Sequence, residues 1–326
     1  MNGVGLSVIA PMFNERENVP GTIEQIEAAL KHYPEPWELI IVDDGSSDGS
    51  ADEVERCAAG KPHIRLISYR PNRGRGYAIR QGFAAARGRF VVTVDFDLSY
   101  EPGHILRMEQ MLRQQPETDI VLASAYAPGG KVENVPFGRL VLSKIGNLLL
   151  RYAFPKPIYT STCIVRAYRR EALERLELCE DGKEIHLEIL RKAFALGMRI
   201  EEIPATLRGK SGRRAPRGQG RLVLSHLAFL LSERPGALLA TAGAILLGIS
   251  LLLCTSRCMD TKGSWERIHC RSGWLPIFAL LGAAACFGAW FLALQIKKAR
   301  NGLYLMQSRR ARRRTEQGER RDKIED

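Results

Sequence analysis

Two pairs of acids sit where apolar runs end. Asp95-Phe96-Asp97 follows Phe90-Val91-Val92-Thr93-Val94, and Asp43-Asp44-Gly45 follows Leu39-Ile40-Ile41-Val42. Carboxylates at the end of a buried strand cost burial energy unless something offsets their charge. Residues two apart on a strand face the same side, so Asp95 and Asp97 are expected to converge. Two converging carboxylates repel unless a cation lies between or near them. A divalent metal holding a nucleotide diphosphate suits such a pair. For Asp43 and Asp44 the plainer reading is turn chemistry, and Asp48 reads as a helix N-cap.

Asn72-Arg73-Gly74-Arg75-Gly76 opens a helical segment. Glycines there let a backbone approach a ligand, and a helix N-terminus beside two arginines favours an anionic phosphate. Further along, Phe137, Leu140, Val141, Ile145, Leu148, Leu149 and Tyr152 follow helical spacing, while Arg139, Ser143, Asn147 and Arg151 recur every fourth residue on another stripe. A helix patterned this way can lie in a membrane interface and present Arg139 and Ser143 to a lipid phosphate. An ordinary surface helix packed on a sheet is the alternative.

The elements that must position these groups alternate in a βαβ manner. Strands are expected at 6–10, 37–43, 64–68, 90–95 and 120–125, with helices at about 19–32, 48–59, 77–86 and 102–115. Short apolar strands separated by amphipathic helices imply a mostly parallel sheet covered on both faces. Ligands of such sheets sit beyond the carboxyl ends of the strands, where the acids collect.

The chain has 326 residues and a net charge of +12 that is not evenly spread. Arg208, Lys210, Arg213, Arg214, Arg217 and Arg221 fall within one acid-free stretch, and residues 297–326 hold a second basic excess. These clusters lie beside apolar segments, which points to an anionic membrane surface rather than to nucleic acid. Segments 236–254 and 274–296 carry no charge, and each approaches the ~20 residues that cross a bilayer as a helix. A pair of buried core helices is the other reading. As spans they form a hairpin, and the basic tail from Lys297 places both the tail and residues 1–235 in the cytoplasm. The expected organisation is a catalytic domain at 1–206, a basic loop and interfacial helix at 207–235, two spans, and a basic cytoplasmic tail at 297–326. No CxxC or zinc spacing occurs among the seven cysteines, and the N-terminus does not read as a signal peptide. Cys258 and Cys270 fall on the extracytoplasmic loop, as a pair or as two free thiols. Small residues in the second span, such as Ala283, Ala284, Gly288 and Ala289, would permit a homo-oligomer.

Four segments in order, Ser7–Glu15, Ile41–Asp48, Asn72–Gly76 and Asp95–Pro102, resemble the successive motifs of family 2 glycosyltransferases. Within that family the chain looks most like the polyprenyl-phosphate branch, the dolichol- or undecaprenyl-phosphate mannose and glucose synthases. The likeness runs from about residue 5 to 235. It implies an α/β GT-A fold followed by a two-helix transmembrane hairpin. It also implies inverting transfer of a hexose from a GDP-mannose or UDP-glucose type donor to a polyprenyl phosphate. Pro11, Glu15, Asp43, Asp44 and Arg75 would bind the donor. Asp95 and Asp97 would bind Mg2+ or Mn2+ and the donor. Arg208 and Lys210 would act in catalysis from a basic loop closing over phosphate, with Lys131, Arg139, Ser143 and Arg213 meeting the acceptor phosphate.

Two positions depart from that pattern. Ala125 stands where the branch often has an arginine that helps hold the lipid phosphate, leaving either Lys131 as a substitute or a different acceptor, and Thr160 stands where many relatives have an aspartate. A processive polysaccharide synthase would need more spans and a Gln-x-x-Arg-Trp motif, which Gln219-Gly220-Arg221-Leu222 does not supply. A non-catalytic scaffold would not need intact Asp44, Asp95 and Asp97.

Overall fold

A computed structural model of the chain describes residues 3–151, 153–209, 235–260 and 275–325. The chain divides into two compact units, residues 1–219 with 304–326, and residues 220–303.

The first unit has the expected alternation. Its elements are β1 (Leu6–Met12), α1 (Val19–Leu30), β2 (Trp37–Asp43), α2 (Ser50–Ala58), β3 (Ile64–Ser68), α3 (Arg75–Ala85), β4 (Phe90–Thr93), α4 (Gly103–Gln114) and β5 (Ile120–Ser124). There follow β6 (Lys131–Glu133), α5 (Phe137–Arg151), β7 (Arg166–Arg169), α6 (Arg170–Glu174), α7 (Ile185–Ala195), β8 (Ile200–Pro204) and β9 (Thr206–Arg208). Seven strands form one sheet in the order β3-β2-β1-β4-β7-β5-β8. The half from β3 to β4 is parallel, as the apolar runs implied. The other half is mixed, because β7 runs antiparallel to both β4 and β5. Arg-Ala-Tyr-Arg is not an apolar run, so its strand character was hidden until its neighbours were known.

Burial explains why these segments settle as they do. Ile9, Ile40, Val42, Ala78, Ala86 and Val91 form one buried cluster joining β1, β2 and β4 to α3. Helix α1 turns Val19, Ile23, Ile26 and Leu30 inward at spacings of three and four. Each such side chain contributes roughly 1.5–3 kcal/mol when fully buried. A small parallel pair, β6 with β9, sits apart from the main sheet.

The second unit is built on α8 (Pro235–Asp260) and most of α9 (Leu275–Glu325). Among the described residues, Ile277–Ser308 is long and apolar enough to cross a membrane, with a mean hydropathy of 2.2, and Leu239–Leu252 is a shorter apolar helix. The two helices meet at small residues. A Cβ added at Gly243 would lie 3.3 Å from Cys286 Cβ, and one at Gly282 would lie 3.2 Å from Leu246 Cδ1. Ala283 is buried. Close approach at small residues is how apolar helices associate where lipid, not water, is the solvent. The basic segment after Ile296, expected as a tail, is helical through Glu325. Cys270 lies outside the described residues.

Candidate active site

The carboxyl ends of β1, β2 and β4 open into a cavity of about 640 Å³. Its walls include Pro11 near the end of β1, Glu15 after β1, Asp44 after β2, Arg75 at the start of α3, and Asp95 and Asp97 after β4. Ser143 of α5 also lines it, as do Tyr126, Asn147, the Thr160–Ile164 segment and Lys183.

Asp95 and Asp97 reach this cavity by a route other than strand alternation. Strand β4 ends at Thr93, so the two acids sit in a turn. Leu98 N–H donates to Asp95 O at 3.0 Å, and Leu98 takes a positive φ of 51°. The buried Phe96 anchors the turn, with its carbonyl accepting from Thr22 Oγ1 at 2.7 Å. Asp97 Oδ1 accepts from Ser99 N and Ser99 Oγ at 3.2 and 2.7 Å. Strand β9 braces the far side, where Arg208 N–H donates to Ser99 O at 2.8 Å.

Asp43 and Asp44 perform the turn chemistry. Asp43 is buried, accepts from Ser46 N and Ser68 Oγ, and does not line the cavity. Asp44 accepts from Tyr69 Oη, Asn72 Nδ2, Arg73 N and Gly74 N. It thus fixes the Asn72–Gly74 turn as well as facing the cavity. Burial, then the bond to Asp44, pushes the Tyr69 phenol above its ordinary range. Asp48 accepts from Ser50 N and Oγ just ahead of α2, while Gly49 holds the N-cap position.

The phosphate cradle expected at Asn72–Gly76 is already filled by protein. Gly76 N–H and Tyr77 N–H both donate to Asp181 O, at 2.7 and 3.3 Å. The glycines are needed for this contact. A Cβ at Gly74 would lie 2.5 Å from Asp181 O, and one at Gly76 would lie 2.3 Å from Glu180 O. Gly76→Ala is therefore expected to destabilise the protein by about 1–3 kcal/mol through overpacking. Thermal unfolding should show the loss, with Gly103→Ala, whose Cβ meets nothing within 4 Å, as the comparison.

The remaining expected residues divide. Ser143 accepts a hydrogen bond from Tyr126 Oη at 2.8 Å within the cavity. Arg208 does not line it, because its guanidinium pairs with Glu101 and Glu133 at 2.5 and 3.2 Å. Lys131 lies at the start of β6 and lines neither this cavity nor the next one. Lys210, Arg213 and the Arg139 side chain lie outside the described residues. Ala125 lines an adjoining cavity of about 530 Å³ that shares Tyr126 and Asn147 with the first. Lys144 and Arg151 line that second cavity. Thr160 hydrogen-bonds Ser124 Oγ at 2.7 Å.

Arg166 and Lys183 were not singled out by sequence reasoning. The Arg166 side chain is fully buried and donates to Cys163 O, His186 O and Ser161 O at 2.7, 3.0 and 2.7 Å. It shapes the Thr160–Ile164 wall from behind. A lone arginine in Ile164-Val165-Arg166-Ala167 was the available signal. Burial and then the charge on Asp95 push the Cys163 thiol up to about 12, so it stays protonated at neutral pH. For Lys183, flanked by acids and glycine, no sequence signal existed.

A parallel half-sheet ending in acid-lined turns, with a mixed half beside it, is a GT-A-like core. The chain belongs to glycosyl transferase family 2, whose model matches residues 7–177. It is 32% identical over 224 residues to a dolichol-phosphate mannosyltransferase of Pyrococcus furiosus, covering 68% of this chain and 61% of that protein. It is 32% identical over 206 residues to a polyprenol monophosphomannose synthase of Mycolicibacterium smegmatis, covering 61% and 76%. A similar match is to an undecaprenyl-phosphate 4-deoxy-4-formamido-L-arabinose transferase of Pectobacterium carotovorum, at 34% identity over 58% and 56% of the two chains. Among solved structures, glucosyl-3-phosphoglycerate synthase of Mycobacterium tuberculosis, crystallised with Mn2+ and UDP, shares the fold. The TM-score is 0.55 at 22% identity, over 71% of this chain and 78% of that one.

Proposed function

We propose that the protein transfers a hexose from a nucleotide sugar to a polyprenyl phosphate, with inversion and with a divalent metal, at the cytoplasmic face of a membrane. The observation that supports this most is the convergence of Asp95 and Asp97 in one cavity with Pro11, Glu15 and Asp44. A pair of carboxylates lining the cavity, Asp95 and Asp97, suits Mg2+ or Mn2+. Such ions keep waters and take substrate phosphates rather than a full protein cage. When bound, the metal would offset charge growing on the diphosphate leaving group.

The chain's own residues do the rest. Pro11 and Glu15 line the cavity and would meet the nucleoside, and Asp44 rigidifies the turn that carries Arg75. Ser143 and Asn147 of α5 form the acceptor side. Helix α5 exposes Phe137, Val141, Ile145 and Leu148, which suits a lipid-bearing acceptor delivered at the interface. Lys144 and Arg151 in the adjoining cavity stand ready to meet anionic lipid where Ala125 cannot. A phosphate acceptor is already anionic near neutral pH, so no strong general base is required. The relatives named for dolichol, polyprenol and undecaprenyl phosphates support the same acceptor class.

The test is a donor panel. Purified full chain, given Mg2+, extracted polyprenyl phosphate and labelled GDP-mannose, UDP-glucose or other common donors, is expected to move label into the lipid phase. Failure with every donor would favour a non-catalytic relative that has kept the fold.

A further inference from the structure

The cavity is rich in negative charge. Glu15, Asp44, Asp95 and Asp97 line it, against two cations among its lining residues, Arg75 and Lys183. These two come from segments far apart in sequence that are held in backbone contact. The Gly76 and Tyr77 N–H groups bond Asp181 O, and a Cβ at Gly74 would lie 3.8 Å from Gly182 Cα. Arg75 and Lys183 each adjoin that contact.

The segment before Lys183 is fixed at both ends. On α7, Glu188 accepts from Cys179 N and Glu180 N and from Lys192 Nζ at 2.7 Å, and Lys192 also bonds Glu177 O. Glu188 and Lys192 are buried. On α3, Arg80 bonds Glu180 O at 2.6 Å and pairs with Asp181. No ion pair among the described residues engages Lys183 or Arg75. Two like charges that line one cavity from adjoining backbone segments are stabilised when an anion lies between them.

We propose that Lys183 and Arg75 form a two-cation clamp on the diphosphate of the donor, supplying positive charge beyond that of the metal held by Asp95 and Asp97. The proposal rests on the nucleotide-sugar reading above and adds Lys183 to it. At the α3 N-terminus the Gly76 and Tyr77 N–H groups are spent on Asp181, so the clamp is formed by the side chains flanking it.

Binding of UDP, GDP, CDP, ADP and dTDP to the full-length protein, measured by calorimetry with Mn2+ and again with EDTA, tests this. For whichever diphosphate the wild type binds, Lys183→Met is expected to weaken Kd by about 10-fold or more, the range of a hydrogen bond to a charged group. The weakening is expected to persist in EDTA. Lys183→Arg is expected to bind within a few-fold of wild type, and the surface variant Lys31→Met is expected to bind as wild type. Affinity for the matching nucleoside, which lacks the phosphates, is expected to be unchanged in Lys183→Met. Equal diphosphate binding by wild type and Lys183→Met overturns the clamp, as does equal weakening of nucleoside and diphosphate. An effect confined to the KM of the polyprenyl phosphate also overturns it, and moves Lys183 to the acceptor. If wild type binds no diphosphate under either condition, the nucleotide-sugar reading falls together with it.

Discussion

Asp97→Ala is expected to lower sugar transfer by a factor of about 100 to 1,000, while the thermal unfolding temperature changes little. Preorganised electrostatic stabilisation of a developing charge commonly contributes about 2.7–4 kcal/mol when one group is removed. Asp97 has the geometry for such a contribution. Its turn is held by the Thr22 bond to Phe96 O and braced by β9 through Ser99 O, so the carboxylate needs no rearrangement to meet a cation. Deleting it leaves Asp95 in place but breaks the pair. Asp97→Glu should recover part of the activity, because the ligand chemistry survives but its position shifts. Asp119→Asn, at a carboxylate that accepts from Arg199 N–H away from the cavity, should retain parental activity. Treatment of wild type with EDTA should reproduce the loss, and added Mn2+ or Mg2+ should reverse it. Full activity in Asp97→Ala would remove the metal role from the proposal.

The second large effect is on stability. Arg166→Met is expected to destabilise the protein by about 3 kcal/mol or more, read from thermal or denaturant unfolding of the full chain in detergent. The reason is the state of what remains. Two carbonyls, of Ser161 and Cys163, would lose this donor inside a water-poor interior, while that of His186, inside α7, keeps its helical N–H partner. Each buried group left unsatisfied costs about 1–3 kcal/mol. Methionine replaces the volume but not the fork of N–H groups. Arg166→Lys should fall between the two, since one ammonium cannot reach three acceptors spread around a planar guanidinium. Because the Thr160–Ile164 wall is built on these carbonyls, transfer activity should drop in Arg166→Met even at temperatures where the protein stays folded.

These two residues also mark the limit of what the sequence revealed. Asp97 was legible because an acid at the end of an apolar strand has few structural uses. It meets Asp95 through a turn rather than by strand alternation, since β4 stops two residues before Asp95. Arg166 left only a faint trace, a lone arginine in an apolar run, because an arginine is normally at the surface and the acceptors that justify its burial come from segments on either side of it in the sequence. The parallel half of the sheet could be read from apolar periodicity. The antiparallel β7 could not, because its pattern is set by neighbours. Arg208 looked like a phosphate ligand from its place in a basic run, yet Glu101 and Glu133 lie close enough to pair with it. Asn72–Gly76 had the composition of a ligand loop, and only a contact with residues a hundred positions later showed what the glycines accommodate.

That contact constrains how relatives of this protein can be recombined. The opening of α3 and the Glu180–Gly182 stretch fit each other backbone to backbone, with the Asp181 carbonyl standing where a bound ligand would otherwise go. A chimera that grafts residues 72–77 from a homologue while keeping this chain's 177–188 would bring mismatched partners together. Exchanging both stretches as one cassette is the route by which this part of the cavity wall could be transplanted without unravelling the fold.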